Sequence, residues 1–276
     1  MALDASVGLL LAVGMTFLLA AAQLDLSIGA NTVMSSVIAA KVIGSIASVE
    51  STGSKVVLAG LAAAAAAIVV GTLFGAINGL IVTKLHVNAL ITTLGTGGIV
   101  TGLTLVATNG VNLAGIPVKL QTSFGSGTIG EILPWAMVVA IVVCAVLWFV
   151  MRTTRLGSRT LAIGSSREAA ERSGISVDWV LIRLFALMGG LAGLAGFLIV
   201  CRFGTTNIGG GTEYALAAIA AAVIGGTSLF GGRASIGGSI VGSLLPVVLA
   251  SGLLVVKVSS FYQQVVVGAI LVLAVY

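Results

Sequence analysis

The chain has 276 residues, of which 58% are hydrophobic and only 8% are charged. A soluble domain carries about 25% charged residues, because polar groups must cover its surface. This composition excludes a cytosolic enzyme, a disulfide-rich secreted domain and a disordered tail, and it predicts an integral membrane protein. The net charge of +5 does not indicate nucleic-acid binding, because six of the thirteen basic residues crowd together between Arg152 and Arg183.

Long apolar runs without charges predict the membrane segments, since about 20 apolar residues cross the hydrocarbon layer as a helix. Strands of a barrel would instead alternate polar and apolar residues. We therefore predict an all-α, polytopic transmembrane bundle that forms one permease domain over residues 1–276, with eight or nine membrane segments. The charge-free runs are Ala5–Leu24, Leu26–Ala40, Val56–Thr83, Val87–Val118, Ile132–Met151, Leu184–Cys201, Tyr214–Gly232, Ala234–Val256 and Val258–Tyr276.

The first run reads as a span rather than as a cleaved signal peptide, because no basic residue precedes it and Asp4 has the wrong sign. Its abrupt start leads us to expect a further helix before residue 1. The arginine-rich loop over residues 152–183 is expected to be cytoplasmic, since cytoplasmic loops carry an excess of Lys and Arg. The run before this loop then crosses inward, and the run after it crosses outward.

Glycines recur four residues apart within several runs. Such stripes of small residues let two helix backbones approach closely, so they predict a tightly packed bundle. The stripes are Gly71, Gly75 and Gly79; Gly98 and Gly102; Gly189 and Gly193; and Gly238 and Gly242.

Motifs for catalysis are absent from the sequence. The chain contains no GxxxxGK[ST] loop for ATP and no Gly-x-Ser-x-Gly nucleophile elbow. His86 is the only histidine, and both cysteines, Cys144 and Cys201, lie in apolar runs. We therefore predict no enzyme activity, no metal site, no disulfide and no cofactor within this chain.

The segment Ala162–Val177, AIGSSREAAERSGISV, is the one clear polar helix. Ser165 and Glu168 fit the S-x-x-E capping box, and Gly174 stands where a C-terminal cap belongs. Two charged pairs four residues apart support an exposed helix: Arg167 with Glu171, and Glu168 with Arg172. This helix is either a solvated loop element without a partner or a docking element that passes force from a cytoplasmic protein into the bundle.

Asp25 interrupts an apolar stretch near the start of the chain. A charge there is costly unless its hydrogen bonds are satisfied. The carboxylate can cap a new helix that begins at Leu26, by accepting from the amide of Ser27 or Ile28. This pattern implies a broken helix, and Asp25 either caps a helix at the membrane surface or contacts a substrate or ion.

Other polar residues lie within the apolar runs. Asn78 stands on a glycine stripe, and the glycine-rich stretch Gly225–Gly242 implies irregular backbone that forms either a gate or a tight turn. The run Tyr214–Gly232 either spans the membrane or enters it and returns. The candidate residues of a translocation path or gate are Asp25, Asn31, Asn78, Thr96, Thr227 and Ser228.

Six segments, in the same order as in the family, resemble the permease subunits of bacterial ABC importers for sugars of the ribose, xylose and galactose type. The resemblance runs nearly end to end. Its segments are LAVGMTFLLAAAQLDLSIGA, GAINGLIVTKLHVNALITTLGTGGIVTGL, AIGSSREAAERSGISV, LAGLAGFLIVCRFG, AIAAAVIGGTSLFGGRASIGGSIVG and VSSFYQQVVVGAILVLAV.

This resemblance implies a multi-pass protein of the bacterial inner membrane that moves a sugar or a similar solute. It implies three partners: a cytoplasmic ABC ATPase that holds ATP and Mg²⁺, a second permease subunit, and a periplasmic or lipid-anchored sugar-binding protein. It also implies that the polar loop helix contacts the ATPase. We assign this contact to Ser165, Arg167, Glu168, Ala169, Ala170, Glu171 and Gly174.

The chain departs from the family's pattern at a few positions. Alanine or glutamine stands where small glycines precede Asp25, and alanines replace an acidic pair near Glu213: these residues are Ala22, Gln23, Ala215 and Ala217. The alternative function is a stand-alone secondary transporter or channel, with coupling ions at Asp25 or Glu213. The identity of the solute and the choice between a homodimer and a sister permease stay open.

Overall fold

The computed structural model describes residues 2–258 together with residues 262, 265, 268 and 269. Over these residues the chain is a helical bundle, which confirms the predicted all-α membrane fold, and seven of its helices are long and apolar enough to cross a membrane. The last predicted run, Val258–Tyr276, lies almost entirely outside the described residues. The count of eight or nine membrane segments therefore stays a prediction.

The elements follow one another along the chain with short connections. A π-helical turn at Gln121–Gly125 and a two-stranded antiparallel hairpin precede the sixth helix. The elements are α1 (Ala2–Ala20), α2 (Ile28–Ile46), α3 (Ser54–Lys84), α4 (Ala89–Thr108), α5 (Val118–Leu120), β1 (Thr128–Ile129), β2 (Leu133–Pro134), α6 (Trp135–Thr153), α7 (Arg155–Ser165), α8 (Arg167–Arg172), α9 (Val177–Phe203), α10 (Thr212–Ile224) and α11 (Ile236–Val255).

Helices α1 and α9 form the centre of the bundle, since most of their side chains are buried. Phe17 of α1 and Phe185 of α9 are fully buried. Met188 of α9 packs so closely against Gly14 of α1 that a Cβ there would lie 2.6 Å from its sulfur. An apolar side chain on every face of a helix is typical of such a central position.

Helices α3 and α9 are joined along a glycine seam, formed by Gly71, Gly75 and Gly79 of α3 with Gly189 and Gly193 of α9. A Cβ on Gly75 would lie 2.1 Å from the carbonyl oxygen of Phe185, and a Cβ on Gly71 would lie 2.3 Å from that of Gly189. These stripes therefore pack as predicted.

The stripe on α4 differs, because a Cβ on Gly98 or Gly102 would meet no atom of the described residues within 4 Å. Small residues alone do not distinguish a packed face from an open one.

The antiparallel seam defines the two ends of the bundle. Lys84 at the end of α3 forms an ion pair with Asp178 at the start of α9, at 2.7 Å. Arg202 at the end of α9 pairs with Asp4 at the start of α1, also at 2.7 Å. Helices α7 and α8 precede α9, so they lie at the Lys84 end, which we call the arginine-rich end.

Helix α10 has only 13 residues, a length of about 20 Å. Its first turn lies near Arg202, and its last turn leads into a glycine-rich turn at residues 225–235. This turn reaches the end of α1, where the amide of Gly232 donates to the carbonyl of Ala20 at 3.0 Å. Helix α11 then packs back along α10, with Gly242 against Ala221. Helix α10 therefore runs from the Arg202 end of the bundle to the arginine-rich end, and α11 leads back. Its 13 residues are fewer than the about 20 of a full span, so the choice between a span and a segment that enters and returns stays open.

The predicted interruption at Asp25 is present. Helices α1 and α2 flank it with 19 residues each, so the break separates two helices of spanning length rather than two half helices. Helix α2 begins at Ile28 and not at Leu26. The hydrogen bond from the amide of Ser27 to Asp25 closes a turn. The helix begins after this turn.

Candidate functional site

The polar turn between α1 and α2 centres on Asp25, whose side chain is buried. Its Oδ1 accepts from the amide of Ser27 at 2.8 Å and from the Oγ of the same residue at 2.5 Å. A carboxylate that accepts from the amide two residues onward forms an Asx turn. The expected acceptance from Ser27 therefore occurs, but as a turn before the helix rather than as its N-cap.

This turn is fastened to the neighbouring helices α3 and α4. Asn78 of α3 donates through Nδ2 to the Oγ of Ser27 at 2.8 Å, and the amide of Leu26 donates to the Oγ1 of Thr93 at 3.1 Å. The Oδ1 of Asn78 is buried and has no hydrogen-bond partner within the described residues. Asp25 and Asn78 are thus brought together through Ser27.

Asn31 lies one helical turn farther along α2. Its Nδ2 donates to the carbonyl of Gly71 at 3.2 Å, and its Oδ1 accepts from the Oγ of Ser35 at 3.3 Å. The residue is buried. Its amide therefore joins α2 to the glycine seam and does not reach the Asp25 turn.

Thr96 lies on α4 and bonds its own helix, donating to the carbonyl of Thr92 at 2.9 Å. This is the usual behaviour of threonine in a membrane helix. Next to it, α2, α4 and the residues before α10 enclose a cavity of about 380 Å³, lined mainly by small residues. Its lining includes Gly29, Gly97, Gly98, Thr101, Gly210 and Gly211.

Thr227 and Ser228 lie in the glycine-rich turn. Thr227 Oγ1 accepts from the amide of Ser235 at 3.2 Å and lies 3.5 Å from the Oγ of Ser239, which in turn accepts from Thr16 of α1 at 2.7 Å. Ser228 Oγ accepts from the amide of Phe230 at 3.2 Å. These hydroxyls brace the turn and attach α11 to α1.

The six path candidates therefore fall into three separate places: the α2–α3 contact, the face of α4, and the glycine-rich turn. They do not line one common cavity in the described part of the chain, and their part in translocation stays a prediction. Of the glycines that line the cavity beside α4, the sequence pattern singled out only Gly98, and that as part of a packing stripe with Gly102, which does not line the cavity.

The polar helix forms as α8, Arg167–Arg172, with both predicted charged pairs. Arg167 Nε lies 3.0 Å from Glu171 Oε1, and Arg172 lies 2.6 Å from Glu168. Gly174 has a φ of 78°, a conformation that suits glycine after a helix.

The N-cap of α8 is Ser166 and not Ser165, since Ser166 Oγ accepts from the amide of Ala169 at 3.2 Å. Ser165 instead completes α7 and donates to the carbonyl of Leu161 at 2.9 Å. Only Ser165 has a glutamate three residues onward, whereas Ser166 is followed at that position by Ala169. Because α7 continues through Ser165, the cap falls on Ser166 and lacks the reciprocal glutamate of a capping box.

Asp178 attaches α8 to the membrane helices. Its carboxylate pairs with Lys84 of α3 at 2.7 Å and lies 3.6 Å from Arg167 of α8. One turn after Arg167 on the same side of α8, Ala170 is buried against the core. The charged residues of α8 remain exposed, so this helix presents a polar surface from a fixed position at the arginine-rich end. Lys84 and Asp178 are 94 residues apart, and no local pattern pointed to them.

Over the residues that the structure describes, no group of three His, Cys, Asp or Glu side chains is placed to hold a metal ion. The buried cysteines Cys144 and Cys201 are free thiols.

A family model described as the permease component of branched-chain amino acid transport systems matches residues 1–275. The ribose import permease protein RbsC of Escherichia coli K12 is 36% identical over 272 residues, which cover 98% of this chain and 81% of that protein. RbsC of Bacillus subtilis is 38% identical, with 96% and 79% covered. The D-allose permease protein AlsC of Escherichia coli K12 is 33% identical, with 99% and 80% covered. No solved structure matches the chain.

Proposed function

Because the chain belongs to the family of permease components of branched-chain amino acid transport systems, we propose that it is the permease subunit of an ATP-binding-cassette importer. We propose that its cargo is a monosaccharide or a related solute. The relatives named above support a sugar rather than an amino acid, since their names state ribose and allose. The chain is a multi-pass protein of the bacterial inner membrane.

The observation that carries this function is the arrangement of α8. Its charged residues are exposed, while Asp178 and the buried Ala170 hold it against the bundle. A short helix held in this way can receive a displacement without bending. This favours the docking element over a solvated helix without a partner.

The proposed importer requires separate proteins to hydrolyse ATP and to select the sugar. A cytoplasmic ABC ATPase would bind ATP and Mg²⁺ and push on α8 and the end of α7, at Ser165, Arg167, Glu168 and neighbouring residues. A second permease subunit and a sugar-binding protein would complete the assembly. The permease itself performs no covalent chemistry and alternates between inward-open and outward-open states.

We place the solute path beside the cavity of about 380 Å³ between α2, α4 and the start of α10. Its glycines and threonines offer backbone carbonyls and hydroxyls to a sugar without blocking its passage. Asp25 and Asn78 would hold the wall of this path through the turn that leads into α2. Thr96 and the hydroxyls of Thr227 and Ser228 belong to the surrounding elements that must move.

Association with the ATPase tests the role of α8. We expect Glu168→Lys or Gly174→Trp to abolish co-purification of the ATPase, because each changes the exposed surface of α8 or its end. Glu50→Lys is the matched control, since Glu50 is exposed in the loop between α2 and α3. A Glu168→Lys permease that folds and co-purifies with a normal complement of ATPase would contradict the proposal.

The stand-alone alternative has its own test. The purified chain, placed alone in ATP-free liposomes, is given a sodium or proton gradient. Accumulation of ribose or allose against its gradient would establish the secondary transporter. We expect no accumulation. The described helices contain few charged side chains that could bind a coupling ion, and in the proposed importer ATP hydrolysis by another chain supplies the free energy for transport.

A further inference from the structure

Three backbone segments meet at the arginine-rich end with no side chain between them. We call this contact the glycine junction; it consists of Ala20 at the end of α1, Gly164 in α7, and Gly231 and Gly232 in the glycine-rich turn. A Cβ on Gly164 would lie 1.9 Å from the carbonyl oxygen of Ala20 and 2.5 Å from the nitrogen of Gly232. The junction therefore leaves no room for even a methyl group.

The glycine-rich turn is stiffened by its own hydrogen bonds. The amide of Ser228 donates to the carbonyl of Arg233 at 3.1 Å, and the amide of Gly231 donates to the carbonyl of Ser228 at 3.3 Å. Positive φ angles of 86° at Gly231 and 75° at Gly232 complete its shape. A displacement applied at the junction moves such a turn as a unit.

Helix α7 is directly joined to α8, because Ser166 alone separates them. The amide of Ser166 donates to the carbonyl of Ala162 in α7 at 3.1 Å, and its carbonyl accepts from the amide of Ala170 in α8 at 3.0 Å. Movement of α8 therefore displaces the end of α7, where Gly164 lies.

Both segments that Gly164 contacts lead to the cavity wall. Ala20 is followed by the Asp25 turn and then by α2, whose Gly29 lines the cavity. The glycine-rich turn is the end of α10, whose Thr212 lines the cavity from the other side. Close-packed contacts transmit displacement because they cannot be compressed.

We propose that Gly164 is a positioning residue for transport: it passes the movement of α8 to α1 and to the glycine-rich turn, and through them to both walls of the cavity. This inference rests on the proposed function, since the ATPase supplies the movement. It assigns the transmission of the movement of α8 to the backbone contact of Gly164 with Ala20 and Gly232, which lies outside α8.

The first test compares Gly164→Ala with Gly44→Ala. Gly44 lies near the end of α2, is exposed, and has no atom within 4 Å of a Cβ, so it is the matched control. In the complex with ATPase and binding protein, we expect Gly164→Ala to retain the ATPase and its hydrolysis but to move roughly tenfold less ribose per ATP. Gly44→Ala is expected to match the unmodified permease. An unchanged ratio of ribose to ATP in assembled Gly164→Ala overturns the proposal.

The second test does not require the Gly164 variant to fold. An environment-sensitive fluorophore is attached through Phe230→Cys, which probes the tip of the glycine-rich turn, where Phe230 is 89% exposed. A second sample carries the fluorophore through Ser173→Cys, just after α8. The native cysteines are buried and do not compete. We expect emission at both sites to change when the complex is trapped with ATP and vanadate.

The outcomes of this measurement distinguish a failure of the role of Gly164 from a failure of the proposed importer function. A change at position 173 without a change at position 230 overturns the role of Gly164 and leaves the importer standing. Failure of the ATPase to associate, or no change at either position, overturns both. If Gly164→Ala assembles, it should retain the change at position 173 and lose the change at position 230, which a purely structural defect would not do.

Discussion

Ala22 is one of the few residues other than glycine with a left-handed backbone, at a φ of 55°. It follows α1 as a C-terminal cap, since its amide donates to the carbonyl of Leu19 and the amide of Gln23 donates to that of Leu18. Glycine is favoured at such a cap because a Cβ is strained there. This explains why the sequence pattern of the family led us to expect glycine before Asp25.

We expect Ala22→Gly to stabilise the protein by roughly 0.5–1 kcal/mol, because it removes the left-handed strain. The measurement is the thermal unfolding midpoint of the purified protein in detergent. Ala65→Gly is the control, since Ala65 is exposed within α3 and glycine there should destabilise the helix by about 1 kcal/mol. A lower midpoint for Ala22→Gly would show that the cap is not strained.

Asp25 supports the turn before α2 through one carboxylate oxygen. Asp25→Ala leaves the buried amide and hydroxyl of Ser27 without that acceptor, so we expect a loss of about 1–3 kcal/mol in the free energy of unfolding. Asp25→Asn keeps an acceptor oxygen and removes the buried charge, so it should lose less. Equal losses in thermal unfolding for both variants would contradict this account.

Local structure was predictable from the sequence where the two interacting residues lie close together along the chain. The pairs of α8 were predicted correctly because they lie four residues apart on one helix face. The start of α2 was wrong by two residues: Asp25 accepts from the amide of Ser27 as predicted, but the residues between them form a turn and the helix begins at Ile28. The contact between Thr16 and Ser239 joins residues 223 apart and had no local signal.

At the scale of elements, the packing of the glycine stripes was also only partly predictable from the sequence. Its spacing predicted close packing, but Gly98 and Gly102 show the same spacing and face open space. Which stripe is packed depends on the partner helix, and the partner is set by the whole fold. The cavity beside α4 was missed for the same reason.

Packing along the seam gives a direct prediction. Gly75→Ala would place a Cβ 2.1 Å from the carbonyl oxygen of Phe185, so α3 and α9 must separate. We expect a loss of about 1–3 kcal/mol, seen as a lower unfolding midpoint or a poor yield of folded protein. Gly44→Ala in α2 is the matched control, since its Cβ would meet no atom within 4 Å, and it should be neutral or slightly stabilising. Equal effects would argue against the seam.

At the scale of the whole molecule, the charge distribution predicts which end of the bundle faces the cytoplasm. Arginines gather at the end that carries α7 and α8, so positive residues place that end inside. In intact cells stripped of their outer membrane, we expect a charged thiol reagent to modify Ile132→Cys but not Ser173→Cys. Ile132 is 86% exposed near the start of α6. Permeabilised cells should show both reactions, and modification of position 173 in intact cells would reverse the assignment.

The glycine seam has a consequence for how this molecule changes shape. Two long helices whose backbones touch cannot slide or tilt against each other without collision, so α3 and α9 form a stiff spine. Helix α1, which packs its Gly14 on this spine, is free to respond only at its ends. Alternating access then requires the peripheral helices to move relative to α3 and α9. These two helices stay fixed as the rigid core of the bundle.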